Sequence, residues 1–213
     1  MDQKQRMLSG LPYKAWLDGL EEERLENKKK IYRFNHMPPE EWDSREDLLR
    51  EILGKAGRNV HIEPPFHCDY GYNIEVGDNF FANYNLVILD VGKVRIGDNA
   101  QIAPNVALYT AGHPVHPDSR NTGYEYGIGI TIGNNVWLGG NVCVLPGVTI
   151  GDNAVIGAGS IVTKDVPANV VAFGNPCKVY REITDRDKEY YYHDRSIHEM
   201  EGMVMQTEIF DDQ

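Results

Sequence analysis

Two histidines three residues apart, His113 and His116 in the run GHPVH, are the side chains of this 213-residue sequence best suited to moving a proton. An imidazole titrates near neutral pH, so a ring with one free nitrogen can take the proton of a hydroxyl as its oxygen attacks an electrophile. The same pair can be read as metal ligands. Three-residue spacing converges two rings only on a helix, however, and Pro114 and Pro117 oppose one. No cysteine or carboxylate obviously completes such a site, so no metal is expected. A third reading is two incidental loop histidines. A covalent route through cysteine has little support: Cys68, Cys143 and Cys177 lack zinc spacing and a sequence-adjacent base. Buried reduced thiols are the expectation.

The cations are informative against their background. The chain has 32 acidic and 21 basic residues, a formal charge of −11, which sets aside nucleic acid and anionic membrane as main partners. Lys164 in VTKD, Lys178 in PCKV and Arg181 nevertheless follow the last regular hexads, and in so acidic a chain such a local basic cluster is either a solvated surface or a binding site. There is no membrane-length apolar run and no secretory h-region, and a cytoplasmic location is expected.

What must position these groups is a repeat. Aliphatic residues recur every six positions at Ile132, Leu138, Val144, Ile150, Ile156 and Val162, with Val136, Val142, Val148, Ala154, Ser160 and Val166 four residues after each. Six is neither the helical period nor the bare strand period, and it fits a chain coiling through short strands, three to a triangular turn. Ile96, Ile102 and Leu108 hold the period, while Val76, Ala82 and Ile88 hold it offset by two residues. GDN at 77–79, 97–99 and 151–153 and GNN at 133–135 supply corner residues that tolerate the left-handed backbone region.

The coil is predicted over 58–181, interrupted by a polar, Gly- and Pro-rich excursion at 109–131 that carries both histidines. Residues 1–57 read as a helical cap. One helix carries Leu17, Leu20, Leu25 and Ile31, and a second spans Glu40 to Leu53 after Pro38 and Pro39. Residues 182–213 read as a terminal helix or arm, with a mobile end over the last fifteen or so.

The run NYNLVILD, IAPNV, GHPVHP, EYG, IGNNVWLGGN and PGVTIGDNAVIGAGSIVTKDVPANVVAFGNPCKV, together with RFNH at 33–36, resembles the galactoside, maltose and nodulation-factor O-acetyltransferases, closest to the maltose enzymes. The resemblance covers nearly the whole chain. It implies an all-β solenoid, a left-handed parallel β-helix with the helical cap and a protruding catalytic loop. It also implies transfer of acetyl from acetyl-CoA to a sugar hydroxyl. His113 is then the base and His116 structural, with a backbone carbonyl or Glu125 accepting the other ring N–H.

Backbone N–H groups near Gly139 and Gly140 would meet the oxyanion, without the serine that family members can carry at Gly140. Acceptor contacts fall on Asp69, Asn83, Asp90 and Glu125. Phe81 stands where galactoside enzymes have tyrosine, and Asp18 lies one residue off the family's first sugar-binding aspartate. The coenzyme would run along Asn83, Trp137, Gly140, Ala158, Thr163, Lys164, Lys178 and Arg181. A homotrimer with sites between subunits is implied, with maltose or glucose ahead of galactosides as acceptor. Amines, serine or an antibiotic are alternative acceptors, and a non-catalytic hexapeptide-repeat binding protein is the alternative of a different class.

Overall fold

The computed structural model describes residues 1–200. From Lys55 to Phe173 the chain passes through strands of two to four residues, and strands one turn apart pair in parallel, giving a solenoid of about six turns. Its three faces start at Lys55–Ala56, His61–Ile62 and Phe66–Cys68. The six-residue period is one strand plus one corner. Val76, Ile96, Ile132 and Ile150 therefore stack in register behind the first face, and Ala82, Ile102, Leu138 and Ile156 behind the second. Ile88, Leu108, Val144 and Val162 stack behind the third. All twelve are buried in one continuous core, the main source of stability in such a stack.

The two-residue offset has a simple origin. Between Ile62 and Leu108 successive inward residues are six apart except from Cys68 to Val76 and from Ile88 to Ile96, where they are eight apart. Both slips fall where the third face returns to the first, here called the return corner. The long excursion interrupts the same corner one turn later, between Ala107–Tyr109 and Ile130–Ile132. At the corner between first and second faces, Asn79, Asn99, Asn135 and Asn153 have φ of 56, 56, 56 and 61°. The preceding glycines serve close approach: a Cβ on Gly97 would lie 2.8 Å from the Asn134 backbone nitrogen of the next turn. The asparagine side chains form a ladder, Asn59 to Asn79 to Asn99 to Asn135 to Asn153 to Asn169, each amide donating to the next.

Both ends of the stack are closed. At the start, α1 (Gln3–Leu8), α2 (Leu20–Asn35) and α3 (Trp42–Ile52) form the cap. Ile31 and Phe34 of α2, with Leu48, Leu49, Ile52 and Leu53 from α3 and its end, join the solenoid core. The buried side of α2 is Leu20, Asn27, Ile31 and Phe34, whereas Leu17 and Leu25, expected with them, are exposed. At the far end Val170–Phe173 is the last parallel strand and Lys178–Glu182 folds back on it antiparallel. The expected terminal helix is a single turn, Arg186–Glu189, followed by a hairpin of Tyr190–Tyr192 with Arg195–Ser196. A run of tyrosines at 190–192 favours strand over helix. Residues 201–213, where most of the predicted mobile end falls, lie outside the described residues.

Candidate active site

The excursion is a protruding loop with an ordered base. Ala111–Gly112 pairs antiparallel with Tyr126–Gly127, Ala111 opposite Gly127 and Gly112 opposite Tyr126. Continued by one residue, that register sets His113 across from Glu125. Accordingly Glu125 Oε2 lies 3.8 Å from His113 Nε2. This is too long for a hydrogen bond and close enough for the carboxylate to attract a protonated ring. The ring is half exposed, so an acceptor can reach it. His116 plays a different part, since its Nδ1 accepts from the N–H of Asp118 and caps the one-turn helix α4 (Pro117–Arg120).

Asp69 sits on the return corner below the loop, half-buried, at the end of a third-face strand. Burial pushes its carboxyl above the ordinary value and the Glu125 charge adds to this, while Arg24 opposes it. Arg24 reaches in from α2, donating to the Ala15 carbonyl at 2.7 Å and the Tyr70 hydroxyl at 2.8 Å. Buried Asn27 of α2 donates to the Asp69 carbonyl at 3.1 Å. His113, Glu125 and Asp69, far apart in sequence, thus meet at one corner, supported by the cap.

Asp90 requires a correction. The resemblance sets it in direct contact with the acceptor, but it is fully buried one turn along the same corner. Its Oδ1 accepts from the N–H groups of Asp69 and Tyr70 at 2.8 and 3.0 Å, and its own carbonyl accepts from Asn73. Asp90 therefore holds the corner that carries Asp69. Burial drives its carboxyl up to about 6, and its Oδ2 has no hydrogen-bond partner among the described residues. Asp18 is exposed on a left-handed turn before α2, where its carboxylate accepts from the Gln3 N–H at 2.8 Å. That bond ties α1 to the turn.

The residues expected along the coenzyme are brought together elsewhere. Gly140, Ala158 and Asn83 occupy the corner between second and third faces, where the Asn83 side-chain oxygen accepts from the Tyr84 N–H. Gly139 N–H donates to the Ile156 carbonyl of the next turn, so it belongs to the ladder and is unavailable to an oxyanion. Gly140 N–H makes no such bond among the described residues. A Cβ on Gly140 would meet only the Pro104 carbonyl, at 3.4 Å, so there is open space at this corner. Trp137 and Phe81 are exposed on the second face, both opposite Gln101, and Phe81 stacks on His61.

Thr163 and Lys164 are exposed on the return corner, two turns beyond the loop, and Lys178 is exposed on the strand that folds back at the far end. Arg181 is held by a bidentate ion pair with Asp187 at 2.6 and 2.8 Å, so a phosphate has to compete for it. Burial pushes all three thiols up, Cys68 most, which disfavours the thiolate form that a nucleophile needs. Among the described residues no group of three metal-ligating side chains gathers, and no helix is long and apolar enough to cross a membrane.

Sequence reasoning missed Tyr13, Arg24 and Tyr70. Tyr13 is fully buried, and its hydroxyl donates to Glu125 Oε1 at 2.6 Å. Only the position of Tyr13 at the head of YKAWLDGL could have marked it, and that pattern says nothing about a partner 112 residues away.

Comparison with known proteins places this fold in a family. Residues 6–57 match the maltose acetyltransferase hexapeptide capping motif and residues 129–164 the bacterial transferase hexapeptide repeats. The galactoside O-acetyltransferase of Escherichia coli K12 is 53% identical over 197 residues, 92% of this chain and 97% of that one. A galactoside acetyltransferase solved in complex with coenzyme A superposes with a TM-score of 0.90 at 53% identity, covering 92% of this chain and 98% of the other. A maltose O-acetyltransferase structure from Clostridium difficile 630 gives a TM-score of 0.86 at 52% identity, over 87% and 99% of the two chains. The chain belongs to the hexapeptide-repeat family of galactoside and maltose O-acetyltransferases.

Proposed function

We propose that this acetyl-CoA-dependent sugar O-acetyltransferase acts on a hydroxyl of maltose, glucose or a related glycoside by direct attack, with His113 as general base. The observation that carries the reading is the convergence of His113, Glu125 and Asp69 at the return corner. His113 takes the acceptor's proton as the hydroxyl oxygen bonds to the acetyl carbonyl carbon. The carbon–sulfur bond then breaks, and the proton passes to the departing sulfur, so the products are the acetyl ester and a thiol. The Gly140 N–H is the donor for the oxyanion. Asp69 and Glu125 accept hydrogen bonds from sugar hydroxyls, a role suited to carboxylates facing a neutral polyol. The open corner at Gly140 and Ala158, beside exposed Trp137, suits the thin pantetheine arm, and Thr163, Lys164 and Lys178 meet phosphates and amides further along.

The two-corner distribution supports a site shared between subunits of a trimer. Asn83 and Asp90 stand at opposite edges of the third face, seven residues apart in one turn. That is roughly 20 Å at about 3.3 Å per residue. A second copy laying its glycine corner against this copy's return corner unites the two halves. A cytoplasmic enzyme supplied with intracellular acetyl-CoA fits this assignment.

The test is thiol release from acetyl-CoA against glucose, maltose, galactosides, amino sugars, serine and chloramphenicol, with His113→Ala beside wild type. The expected result is sugar-dependent release that falls at least ~100-fold in the variant. Near-normal release by His113→Ala would remove the base assignment, and release only with amines would remove the sugar.

A further inference from the structure

The N-terminal segment does more than approach the loop: it forms part of its base. Tyr13 and Glu125 exchange two backbone hydrogen bonds, Tyr13 N–H to the Glu125 carbonyl at 2.9 Å and Glu125 N–H to the Tyr13 carbonyl at 3.1 Å. Residue 13 thus forms an isolated antiparallel bridge beside the strand pair that leads into His113. The next residues continue the contact, with Lys14 Nζ 5.1 Å from the Tyr124 ring centre and the Trp16 ring packed against Gly123. The returning arm of the loop, 123–125, is therefore clasped by residues 13–16.

Within this clasp the Tyr13 side chain is fully buried, beside Met7, Leu20, Tyr70 and Val91. Its hydroxyl donates to Glu125 Oε1 at 2.6 Å, and the other carboxylate oxygen is the one that faces His113. We infer that Tyr13 is a positioning residue for the transfer reaction, its phenol fixing the Glu125 carboxylate in the orientation from which it steadies the His113 ring. The inference rests on His113 being the base.

Three features suit the arrangement to this role. A carboxylate turns about its last torsion over a broad, soft well, so one oxygen must be pinned before the other can hold a direction. Burial and the Glu125 charge push the Tyr13 phenol far above its ordinary value, so it stays a donor at every working pH. Arg24 and Tyr70, which also face Glu125, hydrogen-bond each other, leaving Tyr13 to hold the carboxylate.

Kinetics of thiol release with maltose and acetyl-CoA test this in Tyr13→Phe, Tyr13→Leu, Glu125→Gln and the double variant Tyr13→Phe/Glu125→Gln, with His113→Ala alongside. Tyr13→Phe keeps the ring and both backbone bonds and loses only the hydroxyl. It should lower kcat roughly tenfold, with the KM for acetyl-CoA and the melting temperature nearly unchanged. Glu125→Gln should lower kcat at least as far, and adding Tyr13→Phe to it should change kcat less than about twofold, as coupled residues require.

Full kcat in Tyr13→Phe with loss only in Tyr13→Leu would reduce Tyr13 to packing and overturn the inference. An equal tenfold loss in both backgrounds would overturn it too, since Tyr13 would then act independently of Glu125. Should Tyr13→Phe fail to fold, full kcat in Glu125→Gln would be decisive against it. Near-normal kcat in His113→Ala would instead refute the base assignment, a separate failure.

Discussion

Replacing Asp90 by asparagine should stabilise the protein, by an amount that depends on pH in a defined way. Asp90 is fully buried, and burial moves its carboxyl from the usual 3.8 to about 6. Between those values an unfolded chain has released the proton while the native chain still holds it. The unfolded state then binds fewer protons, and stability falls as pH rises from about 4 to about 6. At about 1.36 kcal/mol per unit, the full cost is about 3 kcal/mol, complete above pH 6 and absent below pH 4.

Asparagine keeps an oxygen for the Asp69 and Tyr70 N–H groups and cannot ionise. Its amide nitrogen stands where Oδ2 already has no partner among the described residues. Denaturant midpoints of wild type and Asp90→Asn, measured at pH 4, 5, 6 and 7 and one protein concentration, give the comparison. The two should differ little in stability at pH 4, with the variant gaining by pH 6 and holding that gain at pH 7. A difference independent of pH, or one that favours wild type as pH rises, would mean that Asp90 ionises like an exposed carboxyl and that the reasoning from burial is wrong.

Two further substitutions probe the glycine corner, and a third the cations. Gly139→Ala sets a Cβ 2.6 Å from the Ala158 nitrogen and 2.9 Å from the Ile156 carbonyl, backbone atoms that cannot yield. It should destabilise by about 2–3 kcal/mol, whereas Gly140→Ala, with one contact at 3.4 Å and no left-handed φ, should gain up to about 1 kcal/mol in thermal melts. Lys164→Ala should raise the KM for acetyl-CoA roughly fivefold with kcat little changed, and initial rates at rising salt should shrink that ratio.

The solenoid was legible because its period is enforced by burial: every sixth aliphatic residue faces the core, and the substitutions allowed there are few. The offset of two between the Val76 and Ile96 series was legible as well, although its meaning as an enlarged corner needed the coordinates. The burial of Asp90 also leaves a signal in the sequence. Leu86, Ile88 and Asp90 alternate with period two, which turns Asp90 inward with its aliphatic neighbours. The Tyr13–Glu125 bridge has no such signal, because a contact between a cap and a loop leaves no period in either segment. The terminal hairpin is hidden by charge: DRDKEYYYHDR offers both helix-forming ions and strand-forming tyrosines, and the tyrosines prevail.

The asparagine ladder from Asn59 to Asn169 has a consequence for how the chain finds its place. Each rung looks like the next, and an aliphatic column behind it looks the same at every level. A nascent turn laid down one level too high or too low would satisfy nearly the same bonds, so the regular corners hold no address. Addresses come from the return corner, where Asp69 and Asp90 mark two successive levels and the clasped loop marks a third. The corner proposed to carry the chemistry also numbers the turns, and regularising it to plain hexads would leave a chain able to stack but without a unique alignment.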